Sequence, residues 1–296
     1  MSELLRIIIS GVAQGIPLFL VASGLTLIYG VIGVLNFAHG AFFMIGAFMT
    51  YTLFGGAVPG AWAFLGAIVV GGVTVTSLGM ASELGVVRRL YSADHVTMLL
   101  GTYALLLVLE GVAGVIWGKT PRTQRQPDAL AGSIGVGGTR VAIYDLILLV
   151  VGVVVAVALW FLVNHTRFGQ SVRAIAQDPT MAQAIGLNSK RVLLTVFALG
   201  SLLAGVAGAL YAPLVAITPS LGDGFILESF AVVIIGGLGS IQGSLVAALL
   251  VGLADSFSLS YLPALTGFTL YILVAIVLLV RPQGLLGNIR MAGAHA

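Results

Sequence analysis

The sequence predicts an all-α fold, a polytopic transmembrane helix bundle of about eight membrane segments, and three observations carry that prediction. Of 296 residues, 59% are hydrophobic and 8% charged, against roughly 25% charged in a soluble domain. So few charges cannot cover a water-facing surface. Mean hydropathy is +1.14. Most of the chain divides into apolar stretches of about 20 residues, the length that crosses a bilayer as a helix. Residues 1–296 are read as one transmembrane domain.

Taken in order, residues 5–29, 34–54 and 61–82 form the first three segments, none with a charge in its middle. Residues 96–117 follow and carry Glu110; 141–163 and 193–217 come next. The long stretch 225–257 is interrupted by Gly236, Gly237 and Gly239, and 263–280 closes the set. Trp62, Trp117, Trp160, Tyr51 and Tyr261 fall near predicted ends, where aromatic belts sit. The first apolar run starts at Leu4, is too long for a leader's apolar region, and is followed at once by another, so it reads as a span.

Basic residues mark the connections. Arg88 and Arg89, with Arg167, Arg173, Lys190 and Arg191, lie on one side because two crossings separate the two groups. Lys119, Arg122, Arg125 and Arg140 lie on the other, so the positive-inside rule puts the first set in the cytoplasm. Arg6, Arg281 and Arg290 extend the same expectation to both termini. The basic residues form no stripe, which argues against nucleic acid as a partner.

Two interruptions resemble each other. GVLNFAHG at 33–40 and GGLGSIQG at 236–243 each place glycines seven apart, after one apolar helix and before another. Paired interrupted segments point to the solute path of a transporter, since unwound backbone is tolerated in a membrane only where it is buried or lines water. Glycine equally permits close helix packing, and the residues leave both readings open.

Catalytic machinery is not visible. Cysteine is absent, which removes thiolate metal sites and catalytic thiols, and no metalloprotease or nucleophile-elbow motif occurs. No metal site, cofactor or catalytic set is therefore expected. AGVIWGKT at 113–120 mimics a phosphate-binding loop, but an apolar helix precedes it and Pro121 follows, so it lacks the strand and helix such a loop needs. Asn164 opens a glycosylation pattern that its expected cytoplasmic side makes silent. Glu110 is costly inside a span and so a functional candidate: it can help a polar solute pass, stay neutral and hydrogen-bonded, or face water near the outer surface. His39 can line the path beside Asn36 or cap the broken helix. Pro219, Asp223 and Glu228 are expected in an outer connection, either receiving a partner or simply solvated.

The longest polar segment between good spans is residues 164–192, NHTRFGQSVRAIAQDPTMAQAIGLNSKRV. Asp178 before Pro179 makes an N-cap with proline at N1, residues 180–185 are helix-compatible, and Gly186 makes a C-cap. A short helix with alanines at 182 and 184 and apolar Ile175, Met181 and Ile185 suits docking into a groove on another protein.

Three stretches, GLTLIYGVIGVLNFAHGAFFMIGAF at 24–48, RFGQSVRAIAQDPTMAQAIGLN at 167–188 and FAVVIIGGLGSIQGSLVAALLVGLAD at 230–255, together resemble the permease subunits of high-affinity branched-chain amino acid ATP-binding cassette transporters, whose close relatives import urea and other small amides. The likeness runs over nearly the whole chain. It implies a multi-pass protein of the bacterial plasma (inner) membrane working with a second permease subunit, cytoplasmic ATP-binding subunits and a periplasmic or extracellular substrate-binding protein. Asn36, Phe37, His39 and Gly40 match the family's first motif; Gly236, Gly237, Gly239 and Gly243, with Gln242 among them, match its glycine break. Together with Glu110 they are the expected substrate path. Arg173, Asp178, Ala182 and Gly186 match the coupling helix that contacts the ATPase, although the Glu-Ala-Ala start common in other such importers is absent. The resemblance implies alternating access for branched-chain, neutral aliphatic amino acids, with urea, short amides or other neutral amino acids as alternatives. Two other classes remain: an ATP-independent or ion-coupled carrier, for which Glu110 is the clear mid-span acid, and an intramembrane enzyme, which lacks its catalytic set.

Overall fold

The computed structural model describes residues 2–136 and 138–287; Arg290 and His295, read above as part of an inner terminus and a polar tail, lie outside the described residues. Three helices open the chain: α1 (Ser2–Ile32), α2 (Ala38–Phe54) and α3 (Ala61–Ser82). The last runs on through a π-helical turn, Glu83–Val87, into the short α4 (Arg88–Leu90). Next, α5 (His95–Trp117) starts at Asp94, whose carboxylate accepts the Val96 and Thr97 amide hydrogens at 3.1 Å each and so caps the helix. A hairpin of β1 (Ser133–Val136) and β2 (Thr139–Ala142), which no apolar pattern marks, precedes α6 (Ile143–His165). The chain continues through α7 (Arg167–Gln177), α8 (Pro179–Ala184), α9 (Ser189–Tyr211), α10 (Leu221–Gly236), α11 (Ile241–Tyr261) and α12 (Thr269–Val280).

Six helices of the described chain are long and apolar enough to cross a membrane, and α2, α10 and α12 are shorter. The stretch 225–257 is two antiparallel helices, α10 and α11, joined at residues 237–240, which adds one helix to the about eight segments expected. A single helix of that length would run roughly 50 Å, well beyond an apolar core of about 30 Å. The break is thus a hairpin turn, and so is the one at residues 33–37.

Small residues assemble the bundle around α9. Gly200 meets Gly24 and Ile28 of α1, Ser201 and Gly205 meet Gly79 and Val75 of α3, and Gly208 lies on the backbone of Phe43 and Ala47 in α2. Lipid tails are as apolar as leucine, so helices in a membrane gain little from hydrophobic burial and associate through close van der Waals contact. A second such seam joins α1 to α11, where Gly11 faces Gly252 and Gly15 faces Ala248. A Cβ added at Gly208, Gly11, Gly15 or Gly252 would meet a neighbouring backbone atom at under 3.0 Å and push the helices apart.

Two hydrogen bonds orient α1. The Ser10 hydroxyl donates to the Asp145 carboxylate at the start of α6 (2.9 Å), and the Ser256 hydroxyl near the end of α11 donates to the Ile7 carbonyl (3.0 Å). The beginning of α1 therefore lies on the face of the 118–142 connection, opposite residues 164–192. Arg6 leaves the set expected inside, whereas Arg281 stays with it, because Pro282 and Gln283 share a cavity with Gln177 and Pro179. An odd number of crossings separates the two ends.

The natural absence of cysteine makes this arrangement directly testable. Single cysteines at Glu3 and Ala131 are expected to react with a membrane-impermeant maleimide from one side of sealed vesicles, and cysteines at Ser171 and Ala93 from the other. Labelling of Glu3→Cys and Ser171→Cys from the same side would overturn the crossing pattern.

Candidate functional site

At the first break the chain turns back inside the bundle. His39 packs against Gly24, where an added Cβ would lie 2.9 Å from its Nε2. Because α1 runs eight residues past Gly24, residues 33–37 climb back about 12 Å at 1.5 Å per helical residue before α2 starts. The start of α2 needs partners there. Asn36 Oδ1 accepts the Ala38 amide hydrogen (3.1 Å), and the Phe37 amide donates to Thr102 Oγ1 on α5 (3.3 Å). Asn36 Nδ2 is buried without a partner. Gly40 rests on Gly222 and Ile226 of α10, at a distance that leaves no room for a methyl group.

Phe37 is the residue of this motif that reaches the far side of the bundle. Its ring stands edge-on between Tyr103 of α5 (5.5 Å) and Phe230 of α10 (4.8 Å). Two helical turns along α5 from Tyr103 comes Glu110, and two turns before Phe230 in α10 comes Asp223; the two carboxyls lie side by side. An aromatic girdle and a carboxyl pair therefore sit one above the other on the α5–α10 wall. Asp223 and Glu228 belong to α10 itself, a correction to their expected place in an outer loop; only Pro219 stays in the connection. The helix begins at Leu221, four residues before the apolar stretch does, so Asp223 falls inside it, and Glu228 lies within the stretch itself. His39, by contrast, is fully buried between α1 and α2 and faces Phe42 at 6.1 Å.

The second break is closed differently. Gly236 and Gly243 meet backbone to backbone, and Gly237 and Gly239 turn the chain with φ of +100° and +82°, a region open to glycine without steric cost. The carbonyls freed at the end of α10 are met by the C-terminal segment: the Leu285 amide donates to Ile235 (2.8 Å) and the Leu286 amide to Gly236 (3.0 Å). Ser240 Oγ caps α11 by accepting from the Gly243 amide (3.0 Å). Gln242 faces α6 across a cavity that Phe37 does not line.

Residues 164–192 form two helices. The first, α7, was invisible as a helix in the polar composition, although Phe168, Val172 and Ile175 recur at helical spacing; Thr166 caps it by accepting the Gly169 amide hydrogen (3.2 Å). The second, α8, has the cap and stop its sequence predicts: Asp178 accepts from the Thr180 and Met181 amides (2.9 Å each), and Gly186, at φ +90°, lets the Leu187 amide reach back to the Ala182 carbonyl (3.0 Å). Met181 and Ile185 are 61% and 71% exposed, whereas Ala182 and Ile175 are each 2% exposed. Ile175 thus leaves the expected docking surface; it is on the apolar face of α7 and lines a cavity of about 440 Å³ with Gln177 and Pro179. Tyr29 and Gly33 at the first break, and Ile234 and Gly239 at the second, line the same cavity. Arg173 is exposed, its guanidinium donating to the Val163 carbonyl.

One buried charge escaped every sequence pattern. Glu83, fully buried in the π-helical turn, is held by Arg88 through two bonds (3.0 and 2.8 Å) and by the Tyr91 hydroxyl (3.1 Å). Burial beside that carboxylate pushes the Tyr91 hydroxyl well above its ordinary range, so it remains a donor. A five-residue spacing from Glu83 to Arg88 belongs to no regular helix face, which is why the pair is not legible from sequence.

Comparison with known proteins finds relatives among transport permeases. Residues 7–280 match the family described as branched-chain amino acid transport system / permease component. The high-affinity branched-chain amino acid transport system permease protein LivH of Escherichia coli is 29% identical, over 94% of each chain. Its counterpart BraD of Pseudomonas aeruginosa is 28% identical over 96% of each. The probable branched-chain amino acid transport permease protein LivH of Methanocaldococcus jannaschii is 31% identical, over 91% of this chain and 88% of its own.

Removing the Arg88 guanidinium leaves Glu83 buried and unpaired. Arg88→Met is expected to lower the unfolding temperature, because it leaves the buried Glu83 carboxylate without its cation, with much of the loss recovered in Glu83→Gln/Arg88→Met. Thermal unfolding in detergent measures both, and equal losses in the single and double variants would remove the pairing argument.

Proposed function

The chain belongs to the family of branched-chain amino acid transport system permease components, and from that premise we propose that it is the transmembrane permease subunit of an ATP-binding cassette importer carrying branched-chain, neutral aliphatic amino acids into the cytoplasm. It is a multi-pass protein of the bacterial inner membrane. Its relatives are named for branched-chain amino acid transport, which supports that substrate class over urea or short amides. Cytoplasmic ATP-binding subunits supply the energy, a second permease subunit completes the route, and an external binding protein delivers the solute.

Orientation follows from charge. Arg88, Arg89, Arg167, Arg173, Lys190, Arg191 and Arg281 gather on the face of residues 164–192, against Arg6, Lys119, Arg122, Arg125 and Arg140 opposite. Seven against five favours the former face as cytoplasmic.

The observation that carries the mechanism is the shared cavity behind the loop. Ile175, Gln177 and Pro179 of α7 and α8 lie across it from both breaks. A push on α8 from an ATPase therefore arrives where the helices are already interrupted, and where reorientation disturbs the fewest internal helical bonds. Met181 and Ile185 offer the apolar surface for that contact, Asp178 and Gly186 hold its shape, Arg173 ties α7 to the end of α6, and Ala182 seats α8 on the bundle.

The route itself follows the α5–α10 wall beside the second permease. Phe37, Tyr103 and Phe230 supply an apolar, aromatic constriction that suits an aliphatic side chain. Glu110 beside Asp223 gives the substrate's ammonium group acceptors two turns nearer the outside. Asn36, His39 and Gly40 act from behind, fixing where α2 begins; Gly236, Gly237, Gly239 and Gly243 allow the second turn to pivot.

In proteoliposomes holding both permeases, the ATPases and the binding protein, uptake of leucine is expected to require ATP and to exceed that of urea; uptake without any ATPase would overturn the reading. Gly186→Val forces a branched side chain into a left-handed conformation costing about 1–2 kcal/mol and is expected to cut uptake while ATP hydrolysis and membrane insertion persist. Phe37→Ala is expected to alter the ratio of leucine to valine uptake at normal complex assembly. An unchanged ratio would reduce Phe37 to packing.

A further inference from the structure

Between α6 and the second break lies another cavity, of about 560 Å³, within the range of about 300–1,000 Å³ typical of small-molecule sites. Phe19, Val163 and Leu245 give it apolar walls, and Asn164, Ser240 and Gln242 gather at one end. None of the α5–α10 wall residues lines it. Asn164 is in the last turn of α6, so the polar end sits at the membrane surface beside residues 164–192. The Trp160 and His165 rings, 4.5 Å apart, mark that level, as interfacial aromatics do. Val157 both lines the cavity and is 59% exposed on the outward side of α6. The groove therefore opens sideways, toward the bilayer.

Two cations are fastened to its edge. Arg173 donates to the carbonyl of Val163, a wall residue, and Arg281 donates to the Leu285 carbonyl (3.2 Å), next to Leu286, which also lines the cavity. A guanidinium has five N–H donors, so each keeps several for a second acceptor. The acid of this segment, Asp178, is already engaged with the Thr180 and Met181 amides.

We propose that this cavity binds an anionic phospholipid, with an acyl chain in the groove between α6 and α11 and the phosphate held at the polar end by Arg281 and Arg173. Basic pockets between membrane helices at the cytoplasmic surface are suited to such headgroups, and a paired guanidinium–phosphate contact is among the stronger hydrogen bonds. An acyl chain seated there touches Leu238 and Gly239, which also line the cavity behind the loop, so the lipid would brace the second break. The assignment of the leaflet rests on the orientation proposed above, whereas binding itself does not.

Native mass spectrometry of the purified full-length chain, offered phosphatidylglycerol, phosphatidylethanolamine or inorganic phosphate at equal concentration, tests the site without reference to transport. Phosphatidylglycerol is expected to be retained about tenfold over phosphatidylethanolamine, consistent with charge-assisted bonds, and inorganic phosphate alone not to be retained. Arg281→Gln and Val157→Trp should each abolish that preference, Arg281→Lys should restore part of it, and Val153→Trp, exposed on the same helix but outside the cavity, should leave it intact. If Val157→Trp does not fold, the Gln and Lys variants at Arg281 decide. Equal retention of the two lipids, retention of phosphate alone, or a preference unmoved at Arg281 would overturn the site, as would a photocrosslink from Val157 to the second permease subunit in the assembled importer.

Discussion

A bilayer offers no water to an unpaired peptide group, and the two interrupted helix pairs depend on how this chain meets that constraint. An orphaned amide or carbonyl in hydrocarbon costs several kcal/mol. The chain meets the demand with other parts of itself: Asn36 and Thr102 serve the start of α2, while the amides of Leu285 and Leu286 serve the end of α10. Each solution ties a break to a distant segment. The first break is thereby bound to α5 and the second to the chain after α12, which is how two local turns become features of the whole bundle.

The same shortage of hydrophobic driving force explains the small residues. Gly200, Ser201, Gly205 and Gly208 let α9 approach three neighbours closely, so that the centre of the bundle is held largely by close van der Waals contact. Motion must then be taken up elsewhere. One cavity, shared by residues 33, 175, 177 and 239, leaves the packing open, and it lies between the surface helices α7 and α8 and the two turns. The proposed lever and the proposed pivots are neighbours for that reason.

Much of this was legible in advance. Apolar length located the helices, the glycine spacing located both breaks, and Asp178, Pro179 and Gly186 bounded α8 to within a residue, because caps and left-handed turns are decided by local chemistry. What failed did so where partners are remote in sequence. Ile175 reads as an exposed apolar residue until α7 turns it inward; Glu83 has no meaning until a π-helical turn brings Arg88 and Tyr91 onto it; Tyr103 and Phe230 are ordinary span residues until Phe37 comes between them.

Sequence alone determined that the chain lives in a bilayer, where it is interrupted and which motifs it shares with a permease family, since transfer energy and backbone conformation are sums over nearby residues. Only the tertiary structure decided that 225–257 folds as two antiparallel helices, that α1 begins on the face opposite residues 164–192, that His39 is buried while Phe37 faces the α5–α10 wall, and that Gln242 belongs to a different cavity. Those outcomes depend on which helix faces touch, and in this bundle they are set by glycine-to-glycine approaches between residues as far apart as Gly11 and Gly252, contacts that no window along the chain can contain.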